Sequence, residues 1–179
     1  PDRSVMTTFD QLLSEQIGHE FAASQQYIAI AVWYDDHDLP QLARHFYRQS
    51  VEERNHAMML IQYRLDRDMG VTIPGVPAVR TDFAAHAEPI RLALEQEKRV
   101  SSQIEALFAA ARAESDGLGE QAMLWFLKEQ VEEVASMTTL LNIAERTTNL
   151  FDIENFVARD MPNGDSTEAD APPAAGGAL

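Results

Sequence analysis

Apolar residues recur along most of this chain in alternating steps of four and three, the spacing that turns one face of an α-helix toward a core. The first such run extends from Thr8 to Asp35, with a seam at Leu13, Ile17, Glu20, Ser24, Tyr27, Ala31 and Tyr34. Asp36-His37-Asp38 interrupts it, with Asp38 expected as the N-cap of the next helix and Pro40 in its first turn. The second run covers Leu39 to Met69 and is expected to stop at Gly70; its seam is Leu42, Phe46, Gln49, Glu53, His56, Leu60 and Tyr63. A third helix is expected over Pro89–Ser115, with Ile90, Leu94, Glu97, Ser101, Ile104, Phe108 and Ala111 on its seam. A fourth follows over Leu118–Arg146, with Phe126, Gln130, Glu133, Met137, Leu140 and Ala144. Leu150 to Arg159 forms a short apolar segment that must dock on something to be stable.

The connections set the topology. The first turn is too short to allow anything but antiparallel neighbours. Between Val71 and Pro89 the helical period vanishes and prolines appear. A stretch of roughly twenty residues can reach ~60 Å when extended, more than the ~40 Å length of either flanking helix. It therefore reads as a crossover that makes the second and third helices parallel. The expected fold is all-α: a four-helix bundle with one long crossover, a short fifth C-terminal helix, and a tail.

Composition narrows the classes. The 179 residues suffice for one domain with a sizeable core, and no apolar run approaches the ~20 residues that span a membrane. With no signal-peptide pattern and no cysteine, the chain is expected to be cytoplasmic, without disulfides, iron–sulfur clusters or thiolate metal sites. A net charge of −15 argues against nucleic acid as a partner and is compatible with binding cations. From Met161 onward Pro, Ala, Gly and acids dominate, so residues 1–160 are expected to form the domain and residues 161–179 a disordered tail.

The chemistry lies where the hydrophobic pattern fails. Each long helix carries acid on its buried seam near its middle: Glu20, Glu53 with His56, Glu97, and Glu133 beside Gln130. Two carboxylates ~4 Å apart repel by about 4 kcal/mol even at an effective dielectric of 20. Four of them at a common centre demand protons or cations. Hard oxygen donors with one imidazole suit iron, manganese or zinc, and Glu53 bridging two ions completes a dinuclear centre. Glu52 and Glu129 stand one residue before seam positions, and Glu132 lies further round its helix, where a solvated face is the ordinary alternative. Tyr27 sits where a phenol can hydrogen-bond a ligand or donate an electron, or act only as a core aromatic; Trp125 stands similarly. His19, His37, His45 and His86 have no partner at ligand spacing and are expected at the surface.

Four segments carry a resemblance to the bacterial non-haem ferritins: Glu-Gln-Ile-Gly-His-Glu20 followed by Tyr27, Glu52-Glu53-Arg-Asn-His56, Gln-Glu97, and Trp125-Phe-Leu-Lys-Glu129-Gln130-Val-Glu132-Glu133. The resemblance covers roughly Thr8 to Arg159. It implies that Glu20, Glu53 and His56 hold a first iron, that Glu53, Glu97 and Gln130 form or support a second, and that Glu52, Glu129, Glu132 and Glu133 match a third iron site. Tyr27 and Trp125 match aromatic neighbours of that centre. A bacterioferritin would repeat Glu-x-x-His on the fourth helix and place methionine after the second helix's glutamate. Here the fourth helix has no histidine and Arg54 follows Glu53, so haem is not expected. The resemblance further implies a shell of 24 subunits that oxidises Fe(II) with O2 or H2O2 and stores the product as hydrated ferric oxide. Asp116 and Glu120 are candidates for acidic pores. A metal-binding shell subunit without catalysis is the alternative.

Overall fold

A computed structural model describes residues 7–161 and 169–179 of the chain. It consists of five helices and, among the described residues, no strand: α1 (Phe9–Asp36), α2 (Pro40–Asp66), α3 (Glu88–Ala113), α4 (Gly117–Arg146) and α5 (Leu150–Asp160). The four long helices form the expected bundle.

The crossover records its own path on α1. Pro74 packs against Gly18, where an added Cβ would approach Pro74 Cγ to 3.3 Å. Further on, Gln26 and the backbone of Arg80 exchange hydrogen bonds of 2.8 and 3.0 Å. The Tyr34 hydroxyl donates to the carbonyl of His86 at 2.5 Å. These three anchors advance along α1 in chain order, over ~24 Å at 1.5 Å per residue. The crossover thus runs the same way as α1, and α3 starts beside the end of α1, parallel to α2.

The far end of the bundle is cross-tied by arginines. The buried Arg64 donates to the carbonyls of Met69, Gly70 and Asp10 and pairs with the Asp10 carboxylate at 2.6 Å. Arg67 pairs with Asp116 at 2.7 Å, and Arg112 with Glu120 at 2.6 Å. The two acids considered for a pore therefore each have a cationic partner within the chain. α2 itself ends at Asp66, one turn before the expected Met69, and the chain then turns through Asp68 and Gly70, both at positive φ.

α2 begins differently from expectation. Asp38 adopts a left-handed conformation (φ 58°) and does not cap; Leu39 occupies the cap position and offers no side-chain acceptor. The acceptor comes from α5. Glu154, buried, takes the backbone N–H groups of Gln41 and Leu42 at 3.0 and 2.8 Å, which places a carboxylate on the positive end of the helix. Reciprocally, Arg48 of α2 donates to the carbonyl of Met161 at the end of α5, at 3.2 Å. Ile153 and Val157 drop into the core between these ties. This docking answers the instability of so short a helix on its own.

The tail expected to be disordered is partly docked. Residues 162–168 lie outside those described, but the Ala175 N–H donates to the Met58 carbonyl at 3.0 Å. The side chain of Asn55 grips the backbone N–H and carbonyl of Leu179 at 3.1 and 3.3 Å. Small side chains at Ala171, Ala174 and Ala175 let this segment settle against the core beneath. Composition without bulky apolar residues hid a segment that docks through backbone groups and methyls.

Apolar packing divides into two clusters. One holds Tyr27, Ile30, Tyr34, Leu42, Phe46, Leu140 and the docked α5; the other holds Leu13, Ile17, Leu60, Ile104, Leu107 and Met123. Each fully buried aliphatic of this kind contributes ~1.5–3 kcal/mol. The seam acids lie between the two clusters, as a polar layer across the middle of the bundle.

Candidate metal centre

The same four-three periodicity that buries leucines on these helices buries the acids, because each occupies a seam position in an unbroken helix. Glu53 and Glu97 are fully sealed (0% exposed), Glu20 retains 1%, and His56, Gln130 and Glu133 are also buried. One donor atom each from Glu20, Glu53 and His56 come within 4.8 Å of one another, and no other group of three histidines or acids among the described residues does so. His56 Nδ1 lies 3.4 Å from Glu53 Oε2 across one helical turn.

The donors are arranged but unsatisfied. Glu20 Oε2, both Glu53 carboxyl oxygens and His56 Nδ1 are buried without a hydrogen-bond partner. Such orphans are costly in a core and rare in native proteins unless an ion or proton completes them. Burial pushes the carboxyls of Glu20, Glu53 and Glu133 well above the usual carboxylate range, and each is pushed further by a facing acid: Glu53 beside Glu20, Glu97 beside Glu53 and Glu133. Glu97 and Glu52 are raised as well, again chiefly by burial. A divalent cation supplies what the site lacks: countercharge for oxygens that are otherwise forced to keep protons. The donor set, carboxylate oxygens with one imidazole and no sulfur, fits iron, manganese or zinc.

Glu97 is held by neighbours. The Tyr27 hydroxyl donates to its Oε1 in a short hydrogen bond. The side-chain amide of Gln130 donates to Glu97 Oε2 at 3.1 Å, to the Glu97 carbonyl at 3.1 Å and to Ser101 Oγ at 3.2 Å. Gln130 thus aims its nitrogen at Glu97. On the opposite flank, Gln16 donates to Glu20 Oε1 at 3.1 Å and to Gln103 Oε1 at 3.3 Å. Gln16 was legible in principle, being one turn before Glu20 on the same face; Gln103 and Ser101 belong to another helix and were not.

The flanking acids separate by depth. Glu52 and Glu133 face each other closely enough for each to affect the other's ionisation, and Glu129 acts on Glu133. Glu52 and Glu129 are half-buried, whereas Glu132 is exposed. Trp125 packs edge-on to His56, with ring centroids 5.7 Å apart, and Phe126 stands beside Trp125, also edge-on to His56, at 5.9 Å. His19, His37 and His86 are exposed as expected, but His45 is not: it is 6% exposed, because α5 folds over its stretch of α2.

Comparison with known proteins converges on one family. Residues 10–147 match the family described as Ferritin-like domain. The chain is 59% identical over 174 residues to Ferritin BfrB of Mycolicibacterium smegmatis, covering 97% of this chain and 96% of that protein. It is 33% identical over 134 residues to the Bacterial non-heme ferritin of Staphylococcus saprophyticus, covering 75% and 80% of the two chains. Among solved structures, an open pore ferritin from Archaeoglobus fulgidus superposes with a TM-score of 0.80 at 23% identity, over 87% of this chain and 99% of that one, a likeness of fold.

Proposed function

The chain belongs to the ferritin family, and from that premise we propose that it is an iron-storage protein whose buried carboxylate–histidine centre oxidises Fe(II). The observation that carries this reading is the convergence of Glu20, Glu53 and His56, with four of their donor atoms buried and unpartnered.

In this reading Glu20, Glu53 and His56 receive one Fe(II). Glu53, as bridge, and Glu97 receive a second, with Gln130 and the Tyr27 hydroxyl fixing the Glu97 carboxyl. Protons that burial holds on these carboxyls leave as the cations bind. Two Fe(II) then give one electron each to O2, which takes two protons and departs as H2O2; with H2O2 as oxidant the same two electrons and two protons yield two waters. Anionic oxygen donors stabilise the harder, more charged Fe(III) and so favour electron loss. The amide of Gln130 adds no anionic charge, which keeps the second position looser and lets product leave. Glu52, Glu129, Glu132 and Glu133 line its departure as a third iron site. The product is stored as hydrated ferric oxide within a shell of 24 copies, in the cytoplasm.

Anaerobic addition of two Fe(II) per subunit followed by a pulse of O2 tests the enzyme reading. The expected result is a transient visible absorbance and oxidation at least tenfold faster than in buffer. Glu53→Ala should abolish the fast phase and leave the particle mass unchanged. Oxidation no faster than in buffer would leave the alternative, a metal-binding shell subunit without catalysis.

A further inference from the structure

α2 carries donor side chains beyond the centre. His45, Gln49, Glu52 and His56 follow at steps of four, three and four. At ~100° per residue this confines them to a band roughly 60° wide, over ~17 Å of the helix. His56 and Glu52 already belong to the acid cluster; His45 and Gln49 do not. Both are more than nine-tenths buried, at 6% and 8% exposure. Both also end in an atom sealed from solvent with no hydrogen-bond partner, Nε2 of His45 and Oε1 of Gln49. A glutamine oxygen offers only lone pairs, and burial holds the His45 imidazole down to about 4, so it is neutral at pH 7 and able to ligate.

The surroundings say what kind of site this is. α5 lies over this turn of α2, tied on one side by Glu154 to the N–H groups of Gln41 and Leu42 and on the other by Arg48 to the Met161 carbonyl. Phe46 packs edge-on to His45, with centroids 5.1 Å apart. The charge that acts on His45 is Arg48, on α2 itself. Two neutral donors with an arginine nearby hold a cation far less firmly than the carboxylates one to two turns along the helix. Weak neutral donors leading to strong anionic ones describe a transfer step.

We propose that His45 and Gln49 form a transit site for a divalent metal ion, passing Fe(II) along α2 between the junction with α5 and the acids at Glu52 and Glu53. The proposal rests on the reading of the acid cluster as an iron centre, and the experiment separates the two. The probe is Co(II), which binds without being oxidised by O2, titrated calorimetrically into the assembled protein. Diffraction at the cobalt edge of parent crystals then locates the ions. The expected result is a weak additional Co(II) per subunit with an anomalous peak at His45, absent from a His45→Phe, Gln49→Leu double variant and retained in Glu53→Ala. In Glu53→Ala the tight ions should be lost. An anomalous map with peaks at the acid cluster and only an ordered water beside His45 would overturn the transit site while leaving the centre intact. A parent that binds no Co(II) at either place would overturn both. Because the map is taken on the parent, a double variant that fails to fold does not remove the test.

Discussion

At the scale of single residues, the acids of the polar layer are defined by the position they hold. Glu53 sits where Leu60 sits two turns later, and the helix buries both alike. That made Glu20, Glu53, His56 and Glu97 readable from periodicity alone. His45 was misread because no local pattern reports the burial that α5 imposes on it. The ionisation of the layer has a consequence for the metal-free protein. Glu53 keeps its proton in the folded state to a higher pH than in the unfolded chain, so folding takes up protons and stability falls as pH rises above the unfolded value near 4.5. Each proton so retained is worth about 1.4 kcal/mol per pH unit. Metal-free Glu53→Gln should therefore gain stability over the parent as pH rises from 5 to 7.5. His45, whose shift has the opposite sign, is common to both proteins and drops out of the difference. Thermal unfolding at the two pH values checks this; a difference that stays flat or shrinks with pH would contradict a protonated Glu53.

At the scale of elements, the helices follow from their seams, while their ends do not. α4 starts at an N-cap that sequence reading can find, Asp116 accepting from Gly119 at 3.0 Å. α2 takes its cap from Glu154, more than a hundred residues later, which no reading of Asp38-Leu39-Pro40 can supply. The docked segment at residues 169–179 escaped for the same reason: its partners Asn55 and Met58 are remote in sequence. Glu154→Ala should cost about 1–2 kcal/mol, as the loss of a buried capping carboxylate does. Hydrogen exchange should quicken at the Gln41 and Leu42 amides and through α5, with the amides around Leu60 unchanged. Uniform protection across all three regions would show that α5 is held by Ile153 and Val157 alone.

At the scale of the whole molecule, the crossover, strapped to α1 at Gly18, Gln26 and Tyr34, makes α2 and α3 parallel and so brings Glu53 and Glu97 to the same level. Its length was the sequence feature that announced this topology; its anchors, formed by a proline ring and backbone groups, had no signature. The proposed shell predicts a particle of ~480 kDa (24 × 20.0 kDa), measured by light scattering or native mass spectrometry. A mass of one or two chains would remove the storage cavity and with it the storage reading.

The cap that Glu154 places on α2 also imposes an order in time. α2 leaves the ribosome with its first turn incomplete and waits for the rest of the bundle chain to be made before the missing acceptor arrives. Without α5 in place, the Gln41 and Leu42 amides lack the acceptor that Glu154 provides. Closing a loop of this length costs only slightly more entropy than closing one half as long, so the delay comes chiefly from synthesis. α5 thus finishes α2, and this part of the bundle interior is sealed only once α5 has docked.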